Sequence, residues 1–280
     1  MITKKQIINT IADIEKEKNI KILFCVEAGS RAWGFESLNS DYDIRYIYIN
    51  TLDWYLSISE QPRETLEYIN NDLDIVGWEL RRSLRLLKKS NPSLLEWLNS
   101  DIVYYQDNKF MQAIQWAADD YYRPRPLLYH YLHMAIGNIR EYLKNENEVW
   151  IKKYLYVIRP LMACNWIELY NSIPPVNFEK LYATVIQARN MPNKVKLLND
   201  LNDLVLRKKQ GDELSYGAII PSIHDFIKHE VERLSTEEKN GGINWPKIFV
   251  KKETGILNDI LSNTLRRFEK MKNDLDIAVA

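Results

Sequence analysis

The chain holds only two cysteines in 280 residues, Cys25 and Cys164, each inside an apolar run and far apart in sequence. Their separation argues against a disulfide framework or a thiolate metal site and for two buried thiols, which suits a reducing cytoplasm. Histidine is scarce too, with four in all. His130 and His133 stand three apart, but no Cys or third His falls at a matching spacing, so packing is the simpler role for them. An excess of charge of either sign is missing: 38 Lys and Arg balance 38 Asp and Glu. No overall field therefore draws the chain onto nucleic acid or an acidic membrane, and any polyanion must be held by a local patch. Long hydrophobic runs are also absent, since no stretch reaches the roughly 18 apolar residues a membrane span needs. The opening MITKKQIINT lacks the apolar centre of a signal peptide. These absences predict a cytoplasmic protein with no membrane partner, and nothing among them fixes an oligomeric state.

What is present is a large apolar fraction, 46%, with 17 Tyr and 8 Trp. That is enough to build a sizeable core and to offer aromatic surfaces with polar tips. The most informative stretch is Lys21 to Asn50, KILFCVEAGSRAWGFESLNSDYDIRYIYIN. It reads as a strand, a tight turn with a short helix, a loop, and a second strand from Tyr42 to Ile49. Side chains two apart in a strand share a face, so Asp41 and Asp43 are expected to point the same way. Two carboxylates so close repel unless a cation lies between them, and such oxygen pairs suit Mg²⁺. Gly29 permits an unusual backbone angle and close approach to a ligand. Ser30, Arg31 and the free amides at a helix start are candidates to receive a phosphate.

The order of strand, Gly-Ser and Asp-x-Asp opening an apolar strand resembles the signature of the polymerase-β-like nucleotidyltransferase superfamily. GSRAWGFESLNSDYDIRYIY resembles more narrowly the RlaP-type group, predicted nucleotidyltransferases associated with RNA ligases. DLDIVGWELRRSLRLLKKSNPSLLEWLNSDIVY, from Asp72 to Tyr104, and KKYLYVIRPLMACNWIE, from Lys152 to Glu168, are similar to later segments of that group. The likeness runs to about residue 190. It implies a third carboxylate on a neighbouring strand, and Asp74 is the match, with Asp72, two residues earlier on the same strand face, as runner-up. It further implies basic contacts to a triphosphate from a helical region, for which Lys152 and Arg159, seven apart with Tyr156 between them on one helical face, are the candidates. Glu79, by contrast, opens a helix, where an acid complements the dipole, and capping is its expected role.

The rest of the pattern is coarse. Thr3 to Lys18 has isoleucines at helical spacing. Glu79 to Ser90 is a helix crowded by Arg81, Arg82, Arg85, Lys88 and Lys89, which reads as a solvated face with a polynucleotide-guiding patch as the alternative. Arg123-Pro124-Arg125-Pro126 is the clearest break and gives the expected division: a catalytic domain over 1–123 and a helical domain over 124–280. Beyond it helices are expected throughout, including one from Glu148 to Tyr170, with a loop at Gly241-Gly242. The expected fold class is therefore α+β: a mixed sheet with helices packed on it, then an all-helical region.

The resemblance implies an enzyme that uses Mg²⁺ or Mn²⁺ and an NTP. Asp41 and Asp43 would bridge two metal ions and Asp74 would hold the one nearest the acceptor, while Gly29, Ser30 and Arg31 take phosphate oxygens. An RNA 3′ end is the first acceptor to consider. A protein or small-molecule hydroxyl, as in antitoxin-like relatives, is the second, and a nucleotide-binding regulatory module without catalysis is the third.

Overall fold

The computed structural model describes residues 2–58, 64–70, 73–143, 148–212, 214–240 and 253–279. Helix α1 (Lys4–Lys18) opens with a capping box, in which Thr3 and Gln6 satisfy each other's backbone amides, and closes on Asn19 in the left-handed region. Strand β1 (Lys21–Glu27), the short helix α2 (Gly29–Trp33) and strand β2 (Tyr42–Ile49) follow as expected. Next come α3 (Leu52–Leu56), β3 (Thr65–Asn70), β4 (Leu73–Glu79), α4 (Leu80–Lys88), α5 (Pro92–Leu98) and β5 (Val103–Gln106). Glu79 caps α4 by accepting the Arg82 N–H at 3.1 Å, the role assigned to it from sequence. Helices α6 (Asn108–Tyr121) and α7 (Pro124–Tyr142) meet at the proline-rich break, where Pro124 occupies the first turn of α7.

The remaining elements are β6 (Glu148–Trp150), α8 (Ile151–Tyr170), α9 (Phe178–Ala188), α10 (Lys194–Lys209), β7 (Tyr216–Ala218), α11 (Pro221–Lys239) and α12 (Gly255–Val279). The helical region thus carries one departure from the expected pattern. Glu148 to Trp150 do not extend α8; they pair antiparallel with Tyr216 to Ala218. The expected loop at Gly241-Gly242 and the runner-up acid Asp72 lie outside the described residues.

The five-stranded sheet has the order β3-β4-β2-β1-β5 and is mixed, since only β2 and β4 run parallel. Alternation along β2 sorts its side chains between two cores. Ile44, Tyr46 and Tyr48 face α1, together with Ile7, Ile11 and Ile14. Ile47 and Ile49 face the other way, into the large core shared with α4 to α11. That second face, continued toward the start of β2, carries Asp43 and Arg45. Gly77 on β4 leaves room for Tyr46, whose ring occupies the place a Cβ would take, 2.1 Å from the Cζ atom. The sheet is thereby fixed from both sides, and its charged end opens toward the helices.

Candidate active site

Parallel pairing of β2 with β4 sets Asp43 directly beside Asp74. Both project on the face turned toward the helical region, and the two carboxylates come within hydrogen-bonding reach of each other. Between them lies Arg45, two residues along β2 and so on the same face. Its Nη2 donates to Asp43 Oδ1 at 3.1 Å and to Asp74 Oδ2 at 2.8 Å, while Nη1 is held by the carbonyls of Ile44 and Asp74. One guanidinium therefore serves two carboxylates. Burial pushes the Asp43 carboxyl above its ordinary range; Arg45 opposes that shift, and Asp74 and Asp41 add to it.

Asp41 directly precedes β2, is exposed, and is within electrostatic range of Asp43. Among the described residues no three of His, Cys, Asp and Glu converge as a metal cluster. Two adjacent, partly desolvated carboxylates do fit a hard divalent cation, because Mg²⁺ commonly takes one or two protein carboxylates and completes its shell with water and phosphate oxygen.

The turn above the pair is built for closeness. Gly29 has φ +57°, and a Cβ placed there would lie 1.9 Å from Asp43 Oδ2. The side chain of residue 43 thus fills the space that any larger residue at 29 would need. The Ala28 N–H donates to the Asp43 carbonyl at 2.8 Å, locking the turn to β2. The first amides of α2, beginning at Gly29 and Ser30, have no partner within the helix. Arg31 donates to the carbonyls of Ser40 and Asp41, lies over the Tyr42 ring at 3.8 Å and is within electrostatic range of Glu27. It shapes the loop that carries Asp41.

Three contributors were not singled out from the sequence. Glu27, fully buried at the end of β1, accepts the Asp43 N–H at 2.8 Å and the Tyr104 hydroxyl at 2.5 Å. Burial raises its pKa and those two bonds hold it back. A lone acid ending an apolar strand was its only signal. Glu96 on α5 pairs with Arg159 at 2.7 Å and accepts the Tyr131 hydroxyl. Lys208 on α10 reaches 171 residues back along the chain to the Ser37 hydroxyl at 3.2 Å. Burial lowers its pKa, Lys152 lowers it further and Asp41 raises it, so these three charges are neighbours.

Arg159 is buried between Glu96 and the Trp33 ring, 4.4 Å from the ring centroid. Lys152 remains half-exposed. The cavity beside Asp43 and Arg45 measures about 280 Å³ and is walled by Glu27, Gly29, Trp33, Asp43, Glu96 and Tyr156 among others. Tyr156, on the same helix face as Lys152 and Arg159, therefore joins the site, with its pKa raised first by burial and then by the charges of Asp43 and Asp41.

Paired carboxylates on neighbouring strands beneath a glycine-serine turn define a class, the polymerase-β-like nucleotidyltransferases. Comparison with known proteins narrows it. Residues 3–244 match the family described as "RlaP: RNA repair pathway DNA polymerase beta family", and the chain belongs to that family. A relative in Bacillus subtilis (strain 168), named "Uncharacterized protein YcgL", is 43% identical over 268 residues, covering 95% of this chain and 98% of its own. A solved nucleotidyltransferase-like protein from Exiguobacterium sibiricum 255-15 spans 95% of this chain and 92% of its own, at 11% identity and a TM-score of 0.33. No described helix is long and apolar enough to cross a membrane.

Proposed function

We propose that the protein is a Mg²⁺- or Mn²⁺-dependent nucleotidyltransferase that moves an NMP from an NTP to a hydroxyl acceptor, with an RNA 3′ end as the acceptor class. The observation that carries this reading is the Asp43–Asp74 pair under Gly29. In the transfer the acceptor oxygen bonds to the α-phosphorus, the bond to the β-phosphate oxygen breaks, and pyrophosphate leaves with the electron pair. A bound divalent cation supplies charge neutralisation at the attacking and leaving oxygens. Asp43 and Asp74 would hold that cation, with Asp41 within electrostatic range of Asp43 to share in it. Asp74, at 37% side-chain exposure, is open enough to take the acceptor's proton. Gly29 and Ser30 offer amides to the phosphates, and Lys152 with Lys208 supplies the positive charge on the helical side. Arg31 and Arg159 stand next to the site, each held by the partners named above, and add positive charge for the triphosphate. The two free, buried thiols are compatible with a reducing cytoplasm.

A test is transfer of label from each α-³²P NTP, with Mg²⁺ or Mn²⁺, to a pool of RNA with free 3′ ends. Asp43→Asn is expected to lose transfer while keeping its fold. Transfer by that variant at the wild-type rate contradicts the assignment. A second reading, a nucleotide-binding module without catalysis, is favoured by one observation: Arg45 already spans both carboxylates. On that reading NTP binds, no label moves, and the acid pair takes up no divalent cation.

A further inference from the structure

From the cavity wall a line of rings leads outward along the helical region. Tyr156 packs edge-on against Trp33, with centroids 5.8 Å apart. One turn earlier on α8, Lys153 places its ammonium over three rings at once: Tyr142 at 3.9 Å, Trp150 at 4.7 Å and Tyr156 at 5.0 Å. Trp150 continues the line, stacked on Tyr216 at 6.0 Å and 21° and edge-on to Tyr142 at 6.2 Å. The small β6–β7 ladder holds Trp150 and Tyr216 opposite each other in register, so their stacking is set by backbone pairing. Tyr216 is 64% exposed, and Trp150 and Tyr142 are half-exposed. Rings in a core need no such exposure, and rings on an ordinary surface need no ladder to hold them.

We propose that this strip is the binding platform for a single-stranded polynucleotide whose 3′ end enters the acid cleft. The proposal rests on the transfer reading for its direction, since the strand must end at Asp43 and Asp74. Its chemistry is independent of that reading. Every base has a π-face that stacks on an aromatic side chain whatever its sequence, and a lysine among the rings pairs with the backbone phosphates. Lys152 and Lys153 lie side by side at the start of α8, near enough to matter electrostatically, so the strip carries a pair of adjacent cations on a chain of zero net charge. Glu141 acts on both Lys153 and Tyr142, and exposed Glu148, two residues before Trp150 on β6, shares its strand face. The strip and the cleft are continuous because Tyr156 belongs to both. Duplex RNA does not fit this chemistry, because its bases are already stacked and paired.

The test is fluorescence anisotropy of the full chain with a fluorescein-labelled 12-nucleotide oligo(U), with neither NTP nor metal present. Tyr216→Ala and Lys153→Ala are each expected to weaken binding about tenfold, the scale of one base stacked on one ring. Tyr216→Phe, which keeps the ring, is expected to retain wild-type affinity, and all three variants are expected to bind Mn²⁺ as the wild type does. Wild-type-like affinity in both alanine variants overturns the proposal. So does preference for a 12-base-pair RNA duplex, equal affinity for a polyglutamate peptide of the same charge, or no oligonucleotide binding at all. Failure of the transfer reading gives a different record, in which the oligonucleotide binds through Tyr216 and Lys153 but no label reaches it.

Discussion

Two clusters of carboxylates and arginine sit in this molecule, and they are balanced in opposite ways. In the helical region Glu168 on α8 and Glu230 on α11 are bridged by Arg233, which holds each at 2.7 Å, and Arg189 pairs with Glu168 as well. Arg233 also reaches Glu237 at 3.0 Å, and Asn165 donates to Glu230. Burial opposes ionisation of Glu230, but the bonds from Arg233 and Asn165 win, and its carboxyl is held below the usual range. On the sheet, one guanidinium faces Asp43 and Asp74 with Asp41 close by, and burial wins, so the Asp43 carboxyl is held above the usual range. The first cluster sets two arginines among its acids at a helix interface, keeps Glu230 ionised and itself borders a cavity lined by Arg189, Glu230 and Arg233. The second is short of positive charge and opens on a cavity. Charge left uncompensated next to open space is what the proposal of a bound cation rests on.

The largest effect that tests this contrast is on stability. Arg233→Met leaves Glu230 without its arginine in a nearly buried setting, with Glu168 still paired to Arg189, and should cost about 3 kcal/mol in urea denaturation. A loss below 1 kcal/mol would remove the distinction between the clusters. Next comes Gly29→Ala. A methyl 1.9 Å from Asp43 Oδ2 has to displace that oxygen by an ångström or more, and the +57° backbone adds strain. Transfer is expected to fall about 100-fold, the size of a 1 Å misplacement at a reacting centre. Wild-type transfer by this variant would show that Asp43 is not held where it matters.

The pH dependence follows in size, and its sign differs between the clusters. Glu230 has a folded pKa below its unfolded one, so its contribution is full above the ordinary glutamate range and fades as pH falls through the folded value. For Asp43 the folded pKa is raised, so the metal-free protein loses stability from that group as pH rises through the ordinary aspartate range to the raised value. Melting temperature against pH for wild type and Glu230→Gln should converge at acid pH. Curves that stay parallel would contradict the first assignment. The smallest effect is the most diagnostic: Asp43→Asn should leave the metal-free melting temperature unchanged or higher, since it removes an under-compensated charge. A fall of several degrees would place Asp43 with the structural cluster instead.

Much of the site was legible because it is local. The strand, the glycine-serine turn, Asp41 and Asp43 lie within 30 residues, and the parallel register of β2 with β4 puts Asp43 and Asp74 on one face. Alternation along β2 marks Arg45, two residues beyond Asp43, but a cation in a half-exposed strand carries no special signal until its partners are known. Lys208 and Glu96 were not legible, because only tertiary packing brings α10 and α5 to the cleft. Arg159 carried the right charge for a phosphate, yet the sequence did not show that Glu96 and Trp33 enclose it. The β6 strand was hidden because Glu148 to Trp150 flow without a break into the helical pattern of α8, and their pairing partner is over 60 residues away.

The central claim is that the sheet cluster lacks a positive charge which a divalent cation supplies. It is tested most directly by titrating the metal-free protein with Mn²⁺ and following free Mn²⁺ by electron paramagnetic resonance, for wild type and Asp74→Asn. The account predicts saturable Mn²⁺ uptake by the wild type that Asp74→Asn loses. Equal uptake by both proteins, or none by the wild type, would contradict it.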